Sequence, residues 1–224
     1  MKVRKKGIFI TATGTDIGKT FVSALLVKYL RKQGIHAGYF KPVLSGAEKK
    51  EGILIDSDVH YVCSTARLEK NAEELVSYAF EPAVSPHLAA KLENKLIKKE
   101  KILEDFLRVS QEFDYMVVEG CGGIVCPLRL DEDPLMLADV IQMLKLELMI
   151  VASAGLGTIN TVVLTVDFAK KHNISIQGII LNHYEEGNYL HEDNRRQIER
   201  LTGIPVIALV RENADEPEFC IKFG

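Results

Sequence analysis

ATGTDIGKT, residues Ala12 to Thr20, decides the reading of this chain. Directly before it, Gly7 to Thr11 (GIFIT) is a short apolar run that predicts a buried strand. Directly after it, Lys19 to Gln33 carries apolar residues at Val22, Leu25, Leu26, Tyr29 and Leu30, the spacing of one helix face, and stops at Gly34. A strand, a small-residue loop and a helix in that order make a sharp turn whose backbone N–H groups point inward at phosphate. Gly18, Lys19 and Thr20 end the loop as GKT, which supplies an ammonium for β/γ-phosphates and a hydroxyl for Mg²⁺. The helix N-terminus adds partial positive charge. The spacing is not the standard G-x-x-x-x-G-K-[ST], because Gly14 lies one residue too close to Gly18. The loop is therefore a variant in which Ala12 and Gly14 provide the small residues. Asp16 is unusual beside a triphosphate, which would repel it unless it faces away or accepts from a ribose or a backbone N–H. It is given no catalytic role.

Working outward, the 224 residues suit one large α/β domain, and 1–224 is read as a single domain. The 28 basic and 31 acidic residues leave a net charge of −3, without the basic excess of a nucleic-acid binder. The basic run Lys95 to Lys101 (KLIKKEK) alternates with apolar residues and reads as a solvated helix face. Cys63, Cys121, Cys126 and Cys220 form no CxxC pair and no zinc spacing, which predicts reduced, mostly buried thiols. The basic start MKVRKK precedes an apolar run too short for a signal peptide, and no run is long enough to span a membrane. The expectation is a soluble, cytoplasmic protein.

Along the chain, short apolar runs alternate with helical patterns. Strands are expected at Ile35 to Val43, Asp114 to Glu119, Leu148 to Ala152, Ile176 to Asn182 and Pro205 to Val210. Helices are expected near 58–66, 87–112, 134–144, 160–171 and 193–202. This alternation predicts a three-layer α/β fold with a doubly wound, mostly parallel sheet of the P-loop NTPase type. Ligands of such sheets collect at the carboxyl ends of strands.

Three charged residues fall at such places. Lys41 ends the second strand in FKPVLSG, and Pro42 argues that the chain turns there. A second ammonium beside a γ-phosphate can hold charge developing in phosphoryl transfer, although spacing alone equally fits an exposed strand-end lysine. Ser45 and Gly46 follow as a small polar loop. Glu119 ends the apolar strand MVVE, where an unpaired buried acid would be costly, so it is the stronger Mg²⁺ ligand candidate. Asp58 is a second candidate at a helix start, and also reads as a plain helix cap.

These residues belong to an ordered set of motifs that resembles the dethiobiotin synthetase family along nearly the whole chain. TATGTDIGKT is similar to the family's TGTDTxVGKT, KPVLSG to KPVxSG, SDV to SDA or SDV, and FEPAVSPHLAA to FxxPxSPHxAA. VVEGCGGIVCPL resembles VVEGAGGxxVPL, GLGTINTVVLT resembles GLGxINHxLLT, and ILNHY resembles the family's NxV/NxY strand end.

The resemblance implies that ATP, CO₂ (or bicarbonate) and 7,8-diaminononanoate are joined to give dethiobiotin, with ADP and phosphate released. It implies that Thr13, Gly14, Thr15, Asp16, Ile17, Gly18, Lys19, Thr20, Phe21, Glu119 and Asn182 surround the nucleotide, Asn182 at the adenine. Thr20, Asp58 and Glu119 would ligate Mg²⁺. Lys19, Lys41 and Thr15 would be catalytic, with Lys41 on the carbamate and the moving phosphoryl group. Lys41, Ser45, Gly122 and Gly123 would meet the substrate. In a homodimer, Gly157, Thr158, Ile159 and Asn160 of the other subunit would receive its carboxylate, as the opening of a helix suits. Pro86 and His87 stay outside the catalytic set, because a packed or surface histidine explains the SPH motif as well.

Departures are visible. Ala12 and Gly14 replace a glycine and an aspartate of the pattern, Asp16 stands for Glu, and Thr161 for His. The C-terminal REN at Arg211 to Asn213 follows IPVIALV at once, which leaves base selectivity open. A cobyrinate-type amidotransferase would need a glutaminase domain that has no room here. A partitioning or division-site switch ATPase would carry a lysine early in the loop, and Ala12 to Asp16 contains none.

Overall fold

The computed structural model describes residues 6–50 and 53–219. Cys220 and the basic start at residues 1–5, both used in the sequence reading, lie outside them. Strand β1 (Gly7–Ala12) runs into helix α1 (Lys19–Lys32), as the periodicity predicts. Helix α1 buries Val22, Leu25, Leu26 and Leu30, and Arg31 and Lys32 in its last turn complement the negative end of its dipole. Next come β2 (Ala37–Ser45), the hairpin strands β3 (Glu48–Lys50) and β4 (Ile53–Asp56), and α2 (Asp58–Ala66). Then follow β5 (Val76–Phe80), α3 (Pro86–Leu92), α4 (Lys99–Ser110) and β6 (Tyr115–Gly123). The chain continues through β7 (Pro127–Arg129), β8 (Leu135–Met136), α5 (Leu137–Leu144), β9 (Glu147–Ser153) and α6 (Thr158–Lys171). It closes with β10 (Ile176–Asn182), α7 (Tyr189–Thr202), β11 (Val206–Val210) and β12 (Glu218–Phe219).

The main sheet has eight strands in the order β12-β11-β10-β9-β1-β6-β2-β5. All neighbours pair in parallel except β11 and β12. Successive residues of β1, β9 and β11 are buried without alternation, so both faces of the sheet are covered. The expected α/β, doubly wound arrangement is therefore present. Strand β1 lies between β6 and β9, where the winding reverses, so the loop after β1 opens into the crevice where such sheets hold ligands.

Several elements differ from expectation. Strand β2 does not turn at Pro42 but continues to Ser45. It pairs with β6 only through Phe40, while its pairing with β5 runs from Lys41 to Ser45. The proline, with no N–H to donate, sits just past the last residue that β6 engages, so it disturbs no ladder. The helical pattern expected over 87–112 is two helices, broken where Asn94 adopts φ 50°. The run Lys95 to Lys101 is consequently a connection entering α4 rather than one helix face. The edge strand β5 and the short antiparallel β12 were not anticipated. Strand β6 extends to Gly123, four residues beyond Glu119, with a break in register against β1 between Ile10 and Ala12.

Candidate active site

The phosphate loop meets α1 through Gly18, which adopts φ 88° and carries no side-chain cap. A Cβ at Gly18 would lie 2.2 Å from Asn182 Nδ2, so both the left-handed backbone and the space require glycine. No acidic residue occupies the first turn of α1. Its first N–H groups, together with the dipole, make a site suited to an anion. Lys19 folds back over the loop and donates from Nζ to the Gly14 carbonyl at 3.2 Å. It is only 8% exposed, and burial lowers its pKa below the ordinary lysine value. Attraction to Glu119 opposes that shift and repulsion from Lys41 adds to it.

Facing the loop, the carboxyl ends of β2 and β6 and the start of α2 bring together Lys41, Glu119 and Asp58. Glu119 is fully buried. Its Oε1 accepts from Thr20 Oγ1 at 2.8 Å and from Lys41 Nζ at 2.5 Å, and its Oε2 accepts from Tyr39 Oη at 2.8 Å. Lys41 Nζ also donates to Asp58 Oδ2 at 2.6 Å. Burial alone would lower the Lys41 pKa, but Glu119 and Asp58 outweigh it and hold the ammonium well above the ordinary value. Tyr39 is raised well above its own ordinary value, by burial first and then by Glu119, so it keeps its proton and donates it. Asp58 is the first helical residue of α2 rather than its cap. Ser57 caps the helix by accepting from the His60 N–H, which leaves the Asp58 carboxylate free to face Lys41.

A cavity of about 300 Å³ is lined by Thr15, Asp16, Gly18, Lys19, Thr20, Lys41, Ser45, Asp58, Glu119 and Gly122, among others. Phe21 borders an adjoining hollow with Thr20, Ser45 and Asp58. A third cavity of about 620 Å³ opens beside Thr15 and Ser45 and is walled by Ala83 to Pro86 and by Gly122 and Gly123. Thr13 gives its N–H to Val151 O at 3.0 Å, so that amide belongs to the sheet. Asn182, at the end of β10, donates to the Ile17 carbonyl at 2.9 Å, while its buried Oδ1 has no partner. Gly157, Thr158, Ile159 and Asn160 open α6 and line none of these three cavities. The loop before them is held by Asn194, whose Nδ2 donates to Ala154 O and Gly155 O. His87 has a buried Nδ1 without a partner and lines none of the three cavities.

Sequence reasoning missed two contributors. Tyr39 lies inside β2 with nothing in its spacing to mark it. Cys121, two residues past Glu119, borders the cavity beside Lys41 and Glu119. The contact with Cys121, and then burial, push the Cys126 thiol up, while the same contact, aided by Lys41 and Lys19, pulls Cys121 down against its burial.

The oxygens near Thr20, Asp58 and Glu119 are the hard donors that Mg²⁺ accepts alongside phosphate oxygens and water. Among the described residues, no three or more His, Cys, Asp or Glu side chains are grouped so as to hold a metal. Two carboxylates and a hydroxyl do fit an ion shared with a nucleotide.

The sheet order, the phosphate loop and the charged residues at its mouth define a P-loop nucleotide-binding protein. The fold is shared with a ParA family ATPase from Chlorobium tepidum, at TM-score 0.53 and 18% identity over 94% of this chain and 85% of that one. It is shared also with the MinC:MinD cell division complex of Aquifex aeolicus, at TM-score 0.56 and 14% identity, over 95% and 86%. A family model described as an AAA domain matches residues 6–216. The chain is 50% identical to the ATP-dependent dethiobiotin synthetase BioD of Clostridium botulinum strain Alaska E43, over 90% of this chain and 88% of that protein. It is 47% identical to the protein of the same name from strain Eklund 17B, over 94% and 92%. The chain belongs to the ATP-dependent dethiobiotin synthetase family.

Proposed function

We propose that this enzyme is a carbon–nitrogen bond-forming ligase of biotin biosynthesis, which uses ATP to convert 7,8-diaminononanoate and CO₂ to dethiobiotin. The observation that carries the reading is the pair of buried ammonium groups, Lys19 and Lys41, facing one cavity at the carboxyl end of the sheet, in a chain half identical to synthetases. A phosphoryl group in transfer spreads negative charge over its oxygens, and preorganised cations in a buried site stabilise it.

In this reading one substrate amine adds to CO₂ and loses a proton, giving a carbamate. A carbamate oxygen takes the γ-phosphoryl group as the bond to ADP breaks. The second amine attacks the carbamoyl carbon, phosphate leaves, and the ring closes. Lys19 holds the β/γ-phosphates over the α1 N–H groups. Lys41 holds the carbamate against the moving phosphoryl group, with Thr15 and Ser45 as hydrogen-bond donors. Gly122 and Gly123 let the backbone approach the substrate. Thr20, Asp58 and Glu119 would hold Mg²⁺, which neutralises phosphate charge when bound. Asn182, with a free Oδ1 at the end of β10, is suited to the adenine amino group.

The cavity within one chain lacks the residues Gly157 to Asn160 that open α6, and Leu156 and Leu164 nearby are 91% and 61% exposed. This supports a homodimer in which α6 of one subunit closes the site of the other and receives the substrate carboxylate at its N-terminus. No helix among the described residues is long and apolar enough to cross a membrane, in keeping with a cytoplasmic enzyme.

The test is phosphate release by purified protein with diaminononanoate, bicarbonate and MgATP. Release that does not depend on diaminononanoate overturns the reading. The fold likeness to ParA and MinD favours one alternative, a switch ATPase that works through a partner. It would show hydrolysis indifferent to the diamine.

A further inference from the structure

Two thiols stand at the wall of the substrate cavity, and the reaction above has no use for them. Cys121 lies in β6 and Cys126 just before β7, separated by Gly122, Gly123, Ile124 and Val125. Their sulfurs are 3.8 Å apart. Both are free thiols, and both line the cavity of about 620 Å³ beside Thr15 and Ser45. The synthetase pattern VVEGAGGxxVPL has Ala and Val at these positions, so the ligation chemistry does not call for sulfur.

Gly122 and Gly123 end β6, where Gly123 pairs with Ala12, and Ile124 and Val125 form the bend that leads to Cys126. Gly122 already adopts φ 59°, a Cβ there would sit 3.6 Å from Cys126 Sγ, and Val125 is 59% exposed. A disulfide has an S–S length of about 2.0 Å, so the two sulfurs must close by roughly 1.8 Å. The residues drawn along are Gly122 and Gly123, which form the wall given to the substrate, and Cys121, which also borders the cavity above Lys19 and Thr20.

We propose that Cys121 and Cys126 are an oxidation site that forms a reversible disulfide with hydrogen peroxide and thereby closes the active site. One sulfur attacks the O–O bond, which breaks as an S–O bond forms, and the thiol proton leaves with the departing oxygen as water. The other sulfur then attacks this sulfenic sulfur. The S–O bond breaks, the S–S bond forms, and the second proton leaves with the oxygen as a second water. Two thiols and one peroxide give one disulfide and two waters, so the sulfurs lose the two electrons that the peroxide gains. Gly122 and Gly123 form the wall given to the substrate, and misplacing a bound substrate by about 1 Å can cost up to roughly a hundredfold in turnover.

The experiment treats the full chain with hydrogen peroxide, alkylates remaining thiols and digests with trypsin. Val109 to Arg129 is a single tryptic peptide that carries both cysteines and no other. The expected result is that this peptide loses two hydrogens and escapes alkylation, and that dithiothreitol reverses both changes. Diaminononanoate-dependent phosphate release is expected to fall at least tenfold or so and to recover with dithiothreitol. Cys126→Val and Cys126→Ser are expected to work as the parent does and to resist peroxide. A peptide that keeps two alkylatable thiols, or one that reaches sulfinic acid with no disulfide, overturns the proposal. Peroxide inactivation of both Cys126 variants to the parent's extent also overturns it. The turnover arm rests on the synthetase reading, whereas the peptide arm does not. Bond formation in a protein with no diamine-dependent release supports the thiol site and overturns the synthetase reading instead.

Discussion

Tyr39 donates its phenolic proton to Glu119 Oε2 at 2.8 Å, while Thr20 and Lys41 share the other oxygen of the same buried carboxylate. Glu119 is thus aimed by contacts on both oxygens, and Tyr39 supplies the one on Oε2. Tyr39→Phe removes only that donor and leaves a buried acceptor unpaired, at a cost of about 1–3 kcal/mol. Chemical denaturation should show this loss. A Mg²⁺ titration of nucleotide binding by calorimetry should show a weaker midpoint with the nucleotide-only affinity nearly unchanged. An unchanged midpoint would remove Tyr39 from any role in placing Glu119.

Lys41→Ala is expected to lower turnover more than tenfold, above about 1.4 kcal/mol of barrier. It should also destabilise the fold by roughly 3–5 kcal/mol, because Glu119 is left buried without its cation. Pairing a neutral lysine replacement with Glu119→Gln should recover most of that stability and none of the activity. The folded pKa of Lys41 lies above 10.5, so the stability its charge confers is complete below 10.5 and is lost only as pH rises through the higher folded value. Melting temperatures from about pH 6 to about pH 9 should therefore carry no slope that depends on Lys41.

Lys19 has the opposite sign. Its folded pKa lies below 10.5, so holding it charged costs stability at neutral pH, and the cost disappears as pH rises past the folded value toward 10.5. The nucleotide-free Lys19→Met protein should be more stable than the parent by on the order of 1 kcal/mol at neutral pH. The gap should narrow in alkaline buffer, and MgATP should no longer raise the melting temperature. A less stable Lys19→Met protein would mean that the ammonium is well compensated without phosphate.

Gly18→Ala forces a side chain into a left-handed backbone and places its Cβ on Asn182 Nδ2. The strain alone costs about 1–2 kcal/mol. Relief by movement of Asn182 would break its bond to the Ile17 carbonyl and disturb both the loop and the adenine position assigned to it. Nucleotide affinity by fluorescence titration should fall at least tenfold or so, and Gly18→Ala with Asn182→Ala should recover stability but not base selectivity.

Much of this architecture was legible because its signals are local. The strand β1, the loop and α1 are adjacent in sequence, and each follows its own periodicity. Glu119 and Lys41 stood out because a charge closing an apolar run is costly to bury unpaired, although both strands run four residues further than that reading placed their ends. The edge strand β5 escaped notice because it is half-exposed and lacks a continuous apolar run. The break at Asn94 escaped because the apolar rhythm continues across it. Pro42 misled in the opposite direction, since a proline ends only those ladders that need its N–H, and β6 had already departed.

The sequence by itself determined that a phosphate loop follows the first strand, that Lys41 and Glu119 belong to later apolar strands, and which family's motifs they join. Only the tertiary structure decided which of these charges meet. Lys41 and Glu119 are 78 residues apart, and they touch because β6 inserts between β1 and β2 in the sheet. Asp58 reaches the same ammonium because Ser57 takes over the capping of α2. Such meetings depend on strand order and on who satisfies each helix end, and neither is encoded within the span of a single motif.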